Sequence, residues 1–333
     1  MIEQAWYQNA AWLRLLRPLS LIYRFISQRR RVRLTKQAVT FDVPVVVVGN
    51  ISVGGTGKTP LLIYLVTLAK SLGFKPGVVS RGYGGKATSY PMQVSNLTNA
   101  DLVGDEPQMI FDKTGVPVVV DPNRVAACQS LIDQHVVDII FSDDGLQHYQ
   151  MGRQFEIAVI DSVRGLGNQK LMPEGPLREE VSRLEEVDLV VLNGEGPFSW
   201  SGSLSYRLCP SALRHLASGE IKPLSVDVIG SKTVFALAGI GNPSRFFETL
   251  SALGFDLKTI PLRDHAQISQ ELLSQYRALP LVMTDKDAVK CQTKAPDNCW
   301  ALSVEAEFTP QATEQLAQLL KSIVNPNGDK NGS

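Results

Sequence analysis

The chain has 333 residues, of which 44% are hydrophobic and 20% are charged. This balance excludes an intrinsically disordered protein and suits one large domain or two ordinary ones. Lysine plus arginine and aspartate plus glutamate number 33 each, so no net charge would attract the whole chain to nucleic acid. The four cysteines form no Cys-x-x-Cys pair, which argues against a disulfide framework or a zinc site and fits a reducing cytoplasm.

The first 36 residues form a segment of distinct composition, with eight basic residues and one acid, Glu3. One predicted helix face is apolar and the other is basic or polar. The apolar face comprises Trp12, Leu15, Leu16, Leu19, Ile22, Tyr23 and Ile26, and the opposite face carries Arg14, Arg17, Arg24 and Gln28. Pro18 lies within this pattern and is expected to kink the helix or divide it in two.

Two interpretations of this N-terminal segment remain open on these residues. No uncharged run approaches the ~20 residues that span a bilayer. A cleavable signal peptide is disfavoured because the basic residues follow the apolar ones. The pattern fits a helix lying in an anionic membrane interface. It also fits a helix docked on its own domain with its basic face in water.

The stretch 43–59, VPVVVVGNISVGGTGKT, is the strongest functional signal in the chain. Pro44–Val48 predicts a strand buried on both faces, and Leu61–Leu72 predicts a helix. A glycine-rich turn between a strand and a helix is the context of a phosphate-binding loop, although Ser52 replaces the usual first glycine. The predicted nucleotide-binding residues of this turn are Gly54, Gly55, Thr56, Gly57, Lys58 and Thr59. Lysine would reach the β- and γ-phosphates, and threonine would hold Mg²⁺.

Further buried strands are predicted downstream of the loop. They cover Gly77–Ser80, Val116–Val120, Val136–Phe141, Glu156–Asp161 and Asp188–Asn193. Because strands alternate with helices, the expected fold is α/β, a P-loop NTPase-like parallel sheet with helices on both faces.

Polar residues follow several of these strands. Asp143 and Asp144 end the strand Val136–Phe141, the usual source of the acid that holds Mg²⁺, and Gln147 and His148 follow at once. Tyr83 lies in the glycine-rich turn after Gly77–Ser80, at the sheet edge where α/β proteins bind ligands.

Four other charged residues are candidates on less specific patterns. Asp105 and Glu106 lie in a Gly-Asp-Glu-Pro turn, where they either serve a site or stabilise a helix start. Arg124 opens a predicted helix, and Arg178 lies in a loop shaped by glycine and proline, from which it could reach a phosphate.

The remaining sequence predicts a second, smaller α/β domain. Its strands are Val234–Ala238, Leu257–Pro261, Leu281–Thr284 and Trp300–Val304, and its helices are Ser244–Leu253, Ser269–Leu279 and Gln311–Ile323. The expected organisation is an N-terminal amphipathic segment 1–36, a kinase domain 37–200, a linker 201–230, the small domain 231–324 and a disordered tail 325–333. His265 follows one strand of the small domain and is either a site residue or an ordinary surface histidine.

The order of these motifs resembles that of the tetraacyldisaccharide 4′-kinases of lipid A biosynthesis. The stretches that carry the resemblance are GNISVGGTGKTP (49–60), SRGYGG (80–85), GDEP (104–107), DPNR (121–124), DDGLQH (143–148), GPLRE (175–179), DH (264–265) and TDKDAVK (284–290). They extend over most of the chain in one order, and the serine at position 52 fits the same pattern.

The resemblance implies ATP- and Mg²⁺-dependent phosphorylation of the 4′-hydroxyl of an acylated glucosamine disaccharide 1-phosphate. It makes Asp105 the catalytic base with His265 as its partner, and Arg124 and Arg178 stabilisers of phosphate charge. It makes Lys58 and Thr59 nucleotide and metal residues, with Asp143, Asp144 and Glu106 on the metal side and Tyr83, Gln147 and His148 in the pocket. It also favours peripheral attachment of the N-terminal segment to the cytoplasmic face of the bacterial inner membrane, with no nucleic-acid or protein partner implied.

The competing interpretation is a membrane-recruited switch or partitioning ATPase, which uses a related glycine loop. Such loops carry a lysine just before the paired glycines, where this chain has Val53. A GTPase is disfavoured because the chain lacks an Asn-Lys-x-Asp motif. A basic membrane adaptor without catalysis would not need Asp143 at a strand end.

Overall fold

The computed structural model describes residues 2–264, 266–291 and 295–325. His265 and the predicted tail beyond Asn325 lie outside the described residues. The helices are α1 Ile2–Gln8, α2 Arg17–Thr35, α3 Lys58–Ser71, α4 Ala100–Val103, α5 Asp105–Thr114, α6 Arg124–Gln134, α7 Val226–Ile229, α8 Pro243–Ala252, α9 Gln270–Ser274, α10 Asp285–Ala288 and α11 Pro310–Val324. Short 3₁₀ helices cover Ala11–Leu16 and Val181–Glu185.

The strands alternate with these helices along most of the chain. They are β1 Val45–Gly49, β2 Pro76–Ser80, β3 Met92–Gln93, β4 Val118–Val120, β5 Ile139–Asp143, β6 Phe155–Asp161, β7 Leu189–Asn193, β8 Leu204–His215, β9 Ile221–Lys222, β10 Thr233–Ala238, β11 Asp256–Pro261, β12 Leu281–Thr284 and β13 Cys299–Phe308.

The chain divides into two compact units. Unit 1 comprises Met1–Arg81, Val116–Arg207 and Glu307–Ser333, and unit 2 comprises Gly82–Gly115 and Leu208–Ala306. This grouping differs from the sequence prediction, which placed residues 82–115 in the kinase domain because they lie between predicted strands of that domain in the chain. The segment predicted as a linker, 201–230, contains β8, β9 and α7.

Unit 1 contains a parallel sheet with β1 near its middle. The strand order is β8-β7-β6-β1-β5-β2-β4, and every pair whose register is known is parallel. All residues of β1, β2, β4 and β5 are buried, as expected for parallel strands covered on both faces. Helix α3 packs against β1, β2 and β5, and α6 packs against β2 and β4. The predicted α/β fold is therefore confirmed.

Unit 2 contains a second parallel arrangement, in the order β11-β10-β12-β13. Helix α8 packs against β10 and β11, and its buried Phe246 and Leu250 join a core with Val234 and Val282. The helix predicted at Ser269–Leu279 is shorter than expected, since α9 ends at Ser274.

The N-terminal segment is divided near Pro18, as predicted, and the proline lies in the first turn of α2, where its missing N–H costs nothing. Among the described residues, no helix combines the length and apolar character needed to cross a bilayer.

Helix α2 docks on unit 1 through its polar side. Arg17 Nη2 lies 3.0 Å from Glu174 Oε1, and Arg24 Nη2 lies 3.0 Å from Glu180 Oε1. Tyr23, predicted on the apolar face, instead donates its hydroxyl to the carbonyl oxygen of Arg178 at 2.9 Å.

The apolar stripe of α2 is the side left in solvent. The exposed large side chains of the segment include Trp12, Leu15, Leu19, Ile22, Phe25 and Ile26. At 3.6 residues per turn, Leu19, Ile22 and Ile26 lie about half a turn away from the docking residues. The docked interpretation was therefore right about docking and wrong about which face remains in water.

Candidate active site

The loop after β1 has the conformation of a phosphate cradle. Gly54 and Gly57 have φ values of +107° and +90°, which L-residues with side chains rarely adopt. Helix α3 begins at Lys58, directly after Gly57. The backbone N–H groups of the first turn therefore have no helical partners and, with the helix dipole, favour an anion at this position.

Two residues that the sequence analysis missed hold this loop. Asn193, the last residue of β7, donates from Nδ2 to the carbonyl oxygen of Thr56 at 3.1 Å. Tyr206 of β8 donates its hydroxyl to the carbonyl oxygen of Gly57 at 2.6 Å. Asn50 Nδ2 donates to Thr56 Oγ1 at 3.2 Å. The contacts of Asn193 and Tyr206 join the loop to strands 137 and 149 residues away in the chain, a separation at which no local pattern signals a pairing.

The acidic strand end predicted after β5 lies beside the loop lysine. Lys58 Nζ is 3.5 Å from Asp144 Oδ1, and Arg178 Nη1 donates to Asp144 Oδ2 at 3.0 Å. Burial raises the pKa of Asp144, but the positive charges of Lys58 and Arg178 outweigh it and lower the pKa to about 2. The structure therefore brings three of the predicted site residues together, with the carboxylate ionised at neutral pH.

Arg178 is positioned by backbone contacts with the loop. Its own N–H donates to the carbonyl oxygen of Ile51 at 2.7 Å, and Val53 N–H donates to the carbonyl oxygen of Pro176 at 2.9 Å. Gln147, predicted as a pocket residue, donates to the Asn50 carbonyl at 3.1 Å and accepts from Arg178. Gln147 thus connects the phosphate loop to the Arg178 loop.

Asp143 and Arg124 lie deeper than Asp144. Both are almost fully buried. Ser80 Oγ donates to Asp143 Oδ2 at 3.1 Å. Arg124 Nη2 donates to the Asp143 carbonyl at 3.1 Å, and its Nη1 donates to the Asp121 carbonyl at 2.8 Å. Burial lowers the pKa of Arg124 to about 10, against the opposing effect of Asp143 and Asp144, so the guanidinium stays charged. Arg124 therefore supports the carboxyl ends of two strands.

His148 reports the positive field of this region. Burial lowers its pKa to about 3, and the charges of Arg124, Arg81, Arg30 and Arg153 act in the same direction. The imidazole is therefore neutral at physiological pH. Burial is the larger cause of this shift, and the four nearby arginines, which add to it, are an environment suited to a polyanion such as a nucleoside triphosphate.

The site residues of unit 1 also fit Mg²⁺. Thr59 is buried in the first turn of α3, and Asp144 Oδ1 accepts no hydrogen bond. Within the described ranges 2–264, 266–291 and 295–325, no group of three or more His, Cys, Asp or Glu side chains is arranged to hold a metal. This donor set suits Mg²⁺, which keeps several waters and uses one or two carboxylates together with substrate phosphates.

Unit 2 contains a second charged cluster, which includes the predicted Asp105 and Glu106 at the start of α5. Lys286 Nζ lies 3.0 Å from Glu106 Oε1 and 3.3 Å from Asp264 Oδ1. Burial alone would lower the pKa of Lys286, but the carboxylates of Glu106, Asp105 and Asp264 hold it above its usual value. Lys286 lies in the TDKDAVK stretch, but no role was predicted for it.

A second lysine of the same stretch completes the cluster. Lys290 Nζ lies 3.8 Å from Asp105 Oδ2 and 3.0 Å from the fully buried Asp287. Asp287 in turn accepts hydrogen bonds from Gly239 N–H and Thr284 Oγ1. Tyr83 also belongs to unit 2, with 62% of its surface exposed. Asp105 is thus held next to a cation in a fixed network, and its predicted partner His265 lies outside the described residues.

Unit 1 has the features of a P-loop nucleotide-binding protein: a parallel sheet, a glycine loop that opens a helix, a lysine at the helix start and acids at the neighbouring strand end. A family model described as tetraacyldisaccharide-1-P 4′-kinase matches residues 12–322. The chain belongs to this family.

Individual relatives agree with the family match. A tetraacyldisaccharide 4′-kinase of Azotobacter vinelandii is 46% identical over 96% of this chain and 97% of its own length. One of Pseudomonas entomophila is 48% identical over 97% of each chain. A crystal structure of LpxK from Aquifex aeolicus in complex with ATP aligns with a TM-score of 0.77 at 26% identity, covering 94% of this chain and 99% of that one.

Proposed function

We propose that this chain transfers the γ-phosphoryl group of ATP to the 4′-hydroxyl of a tetraacylated glucosamine disaccharide 1-phosphate, a step of lipid A biosynthesis. The observation that carries the proposal is that Asp144 lies between Lys58, at the start of α3, and Arg178. Membership of the tetraacyldisaccharide 4′-kinase family supplies the acceptor, and the ATP in the related LpxK structure supports the donor.

The residues of unit 1 would handle the nucleotide. Backbone N–H groups of the glycine loop surround the β-phosphate, and Lys58 neutralises charge on the β- and γ-phosphates. Thr59, Asp144 and Asp143 would hold Mg²⁺ directly or through water, and the bound ion would neutralise charge on the transferred group. Arg178 donates to Asp144, which places its guanidinium beside the loop, where it would neutralise phosphate charge.

The acceptor hydroxyl needs a base, and Asp105 is our candidate, with His265 as its partner. The carboxylate lies at the first turn of α5 and is buried, and Lys290 Nζ lies 3.8 Å from its Oδ2. Glu106 pairs with Lys286, so its assignment to the metal requires that this ion pair open or be shared.

The assay is transfer of labelled phosphate from ATP to a purified lipid acceptor. A kinase should release little ADP without acceptor, whereas a partitioning ATPase would hydrolyse ATP regardless. Lys58→Ala should abolish transfer in a folded protein, and Lys70→Ala, at the other end of α3, should not. Appreciable transfer by folded Lys58→Ala would refute the loop assignment.

The base is tested by a double-mutant comparison. If Asp105 and His265 act on one proton, Asp105→Ala and His265→Ala should each reduce turnover strongly with little change in ATP affinity. The double variant should then have a turnover scarcely lower than that of the more damaging single variant. Losses that multiply would indicate independent roles. An active His265→Ala protein would remove that residue from the mechanism.

We further propose that the protein is peripheral on the cytoplasmic face of the inner membrane, with α2 at the lipid surface. The support is the exposed apolar stripe that includes Leu19, Ile22 and Ile26, flanked by the exposed Arg29 and Arg33. Deletion of residues 1–36 should release the protein from anionic vesicles. Unchanged co-sedimentation would show that the helix serves only as a structural element.

A further inference from the structure

A cavity of about 540 Å³ lies between the N-terminal segment and the loop that connects β6 to β7. Its walls include Arg14 and Arg17 from the N-terminal segment and Asn168, Lys170 and Glu174 from the loop. All of these residues belong to unit 1. The lining of the cavity does not include Lys58 or Asp144. The proposed binding of the nucleotide therefore assigns no ligand to this cavity.

The charge of the cavity favours an anion. Glu174 has only 5% of its surface exposed, and its carboxylate already binds Arg17, with 3.0 Å between Nη2 and Oε1. Arg14 and Lys170 have no acidic partner within the part of the chain that the structure describes. Three cations and one carboxylate leave two positive charges, which matches a doubly charged phosphate monoester better than a singly charged diester.

The location of the cavity favours a lipid. Trp12 and Leu15 are three residues apart in the 3₁₀ helix that contains Arg14, so they share one face of it, and 48% and 81% of their surfaces are exposed. A ligand bound by Arg14 would therefore lie next to this exposed apolar face. Indole and aliphatic side chains beside a cation are the combination that interfacial segments use to bind a headgroup and the start of the acyl layer.

We propose that this cavity binds the phosphate monoester headgroup of a membrane lipid, with Arg14 and Lys170 as the donors and Trp12 and Leu15 in the acyl layer. The inference rests on the membrane association proposed above and adds headgroup selectivity to it. Binding here would fix the depth and rotation of the N-terminal segment at the interface, which a diffuse basic surface cannot do.

The test is co-sedimentation of the full-length protein with vesicles of neutral lipid that contain either phosphatidic acid, a monoester, or phosphatidylglycerol, a diester, at matched surface charge. The wild-type protein should bind the phosphatidic acid vesicles roughly tenfold more tightly, since the second charge of the monoester adds an ion pair inside the cavity that contributes several-fold. The variant Arg14→Gln/Lys170→Gln should lose that preference. The control Arg30→Gln/Arg33→Gln removes the same charge from exposed positions of α2 and should weaken both interactions equally, with the preference retained.

The outcomes separate the cavity from membrane binding in general. Equal binding of wild-type protein to both vesicles, or equal loss of preference in both double variants, would overturn the cavity and leave membrane association standing. Failure to bind either vesicle would overturn both proposals. Calorimetry with inorganic phosphate gives a further check. If Arg14→Gln/Lys170→Gln loses phosphate binding but keeps the vesicle preference, the cavity binds the free ion and not a lipid headgroup.

Discussion

Replacement of Gly57 by alanine tests whether the phosphate loop depends on its distant supports. An added Cβ would lie 2.4 Å from both Asn193 Nδ2 and Tyr206 Oη, closer than any real contact. Both side chains can retreat, but each then loses its hydrogen bond to the loop. The backbone is also at φ +90°, where a side chain costs roughly 1–2 kcal/mol. Two hydrogen bonds add roughly 1 kcal/mol each, so we expect a loss of about 3–4 kcal/mol in unfolding free energy.

Gly73 offers a matched control. Its φ is +87°, nearly that of Gly57, yet a Cβ there would meet nothing within 4 Å. Gly73→Ala should therefore cost only the backbone strain, roughly 1–2 kcal/mol. Urea unfolding measures the stability of both variants, and calorimetry with ATP and Mg²⁺ measures the affinity.

We expect Gly57→Ala to bind ATP at least tenfold more weakly, because its loop carbonyls have lost their supports, and Gly73→Ala to bind it normally. Equal destabilisation of the two variants, with ATP affinity retained in both, would refute the view that Asn193 and Tyr206 hold the loop.

Three other residues give predictions that can be measured by unfolding or turnover. His148 has a folded pKa of about 3, which lies below its unfolded value. Its contribution to the unfolding free energy is therefore complete above about pH 6.5 and falls by at most about 1.4 kcal/mol per pH unit as the pH drops toward 3. The loss of stability on acidification, measured by urea unfolding, should be smaller in His148→Gln. Lys286→Met should lower stability by about 3 kcal/mol at pH 7 and by less at pH 4, because it strands carboxylates that protonation can relieve, whereas the exposed Lys232→Met should change little at either pH. Tyr23→Phe removes the hydrogen bond to the Arg178 carbonyl and should reduce turnover several-fold with unchanged ATP affinity; full turnover would mean that the helix does not position that loop.

The nucleotide half of the site was accessible from sequence because its signals are local. A β-branched run, a glycine turn and an apolar helix follow one another within 30 residues, so β1, the loop and α3 were predicted together. The acid at the end of β5 was predicted for the same reason, since a buried strand followed by aspartates is a short pattern. The structure places Asp144 next to Lys58 and Arg178, so this acid lies beside the glycine loop.

Long-range contacts were the part that the sequence did not reveal. Asn193 and Tyr206 reach the loop only because β7 and β8 lie in the same sheet, and neither residue type marks a loop support by itself. Lys286 likewise became recognisable only through its ion pairs with Glu106 and Asp264. Residues 82–115 join unit 2 through contacts such as that of α5 with α10, which chain order does not predict.

The orientation of α2 carries the clearest physical argument about its environment. An amphipathic pattern predicts that a helix has an apolar face and a polar face, but it does not predict which of the two packs against the protein. Here the acids Glu174, Glu180 and Glu186 face Arg17, Arg24 and Arg31, so the side with these arginines docks on the protein and the apolar side does not. The ion pairs of Glu180 and Glu186 are exposed and contribute little to stability, whereas each large apolar side chain left in water forgoes roughly 1.5–3 kcal/mol of burial. Under the membrane association proposed above, these apolar side chains would lie in lipid, and that cost would be offset.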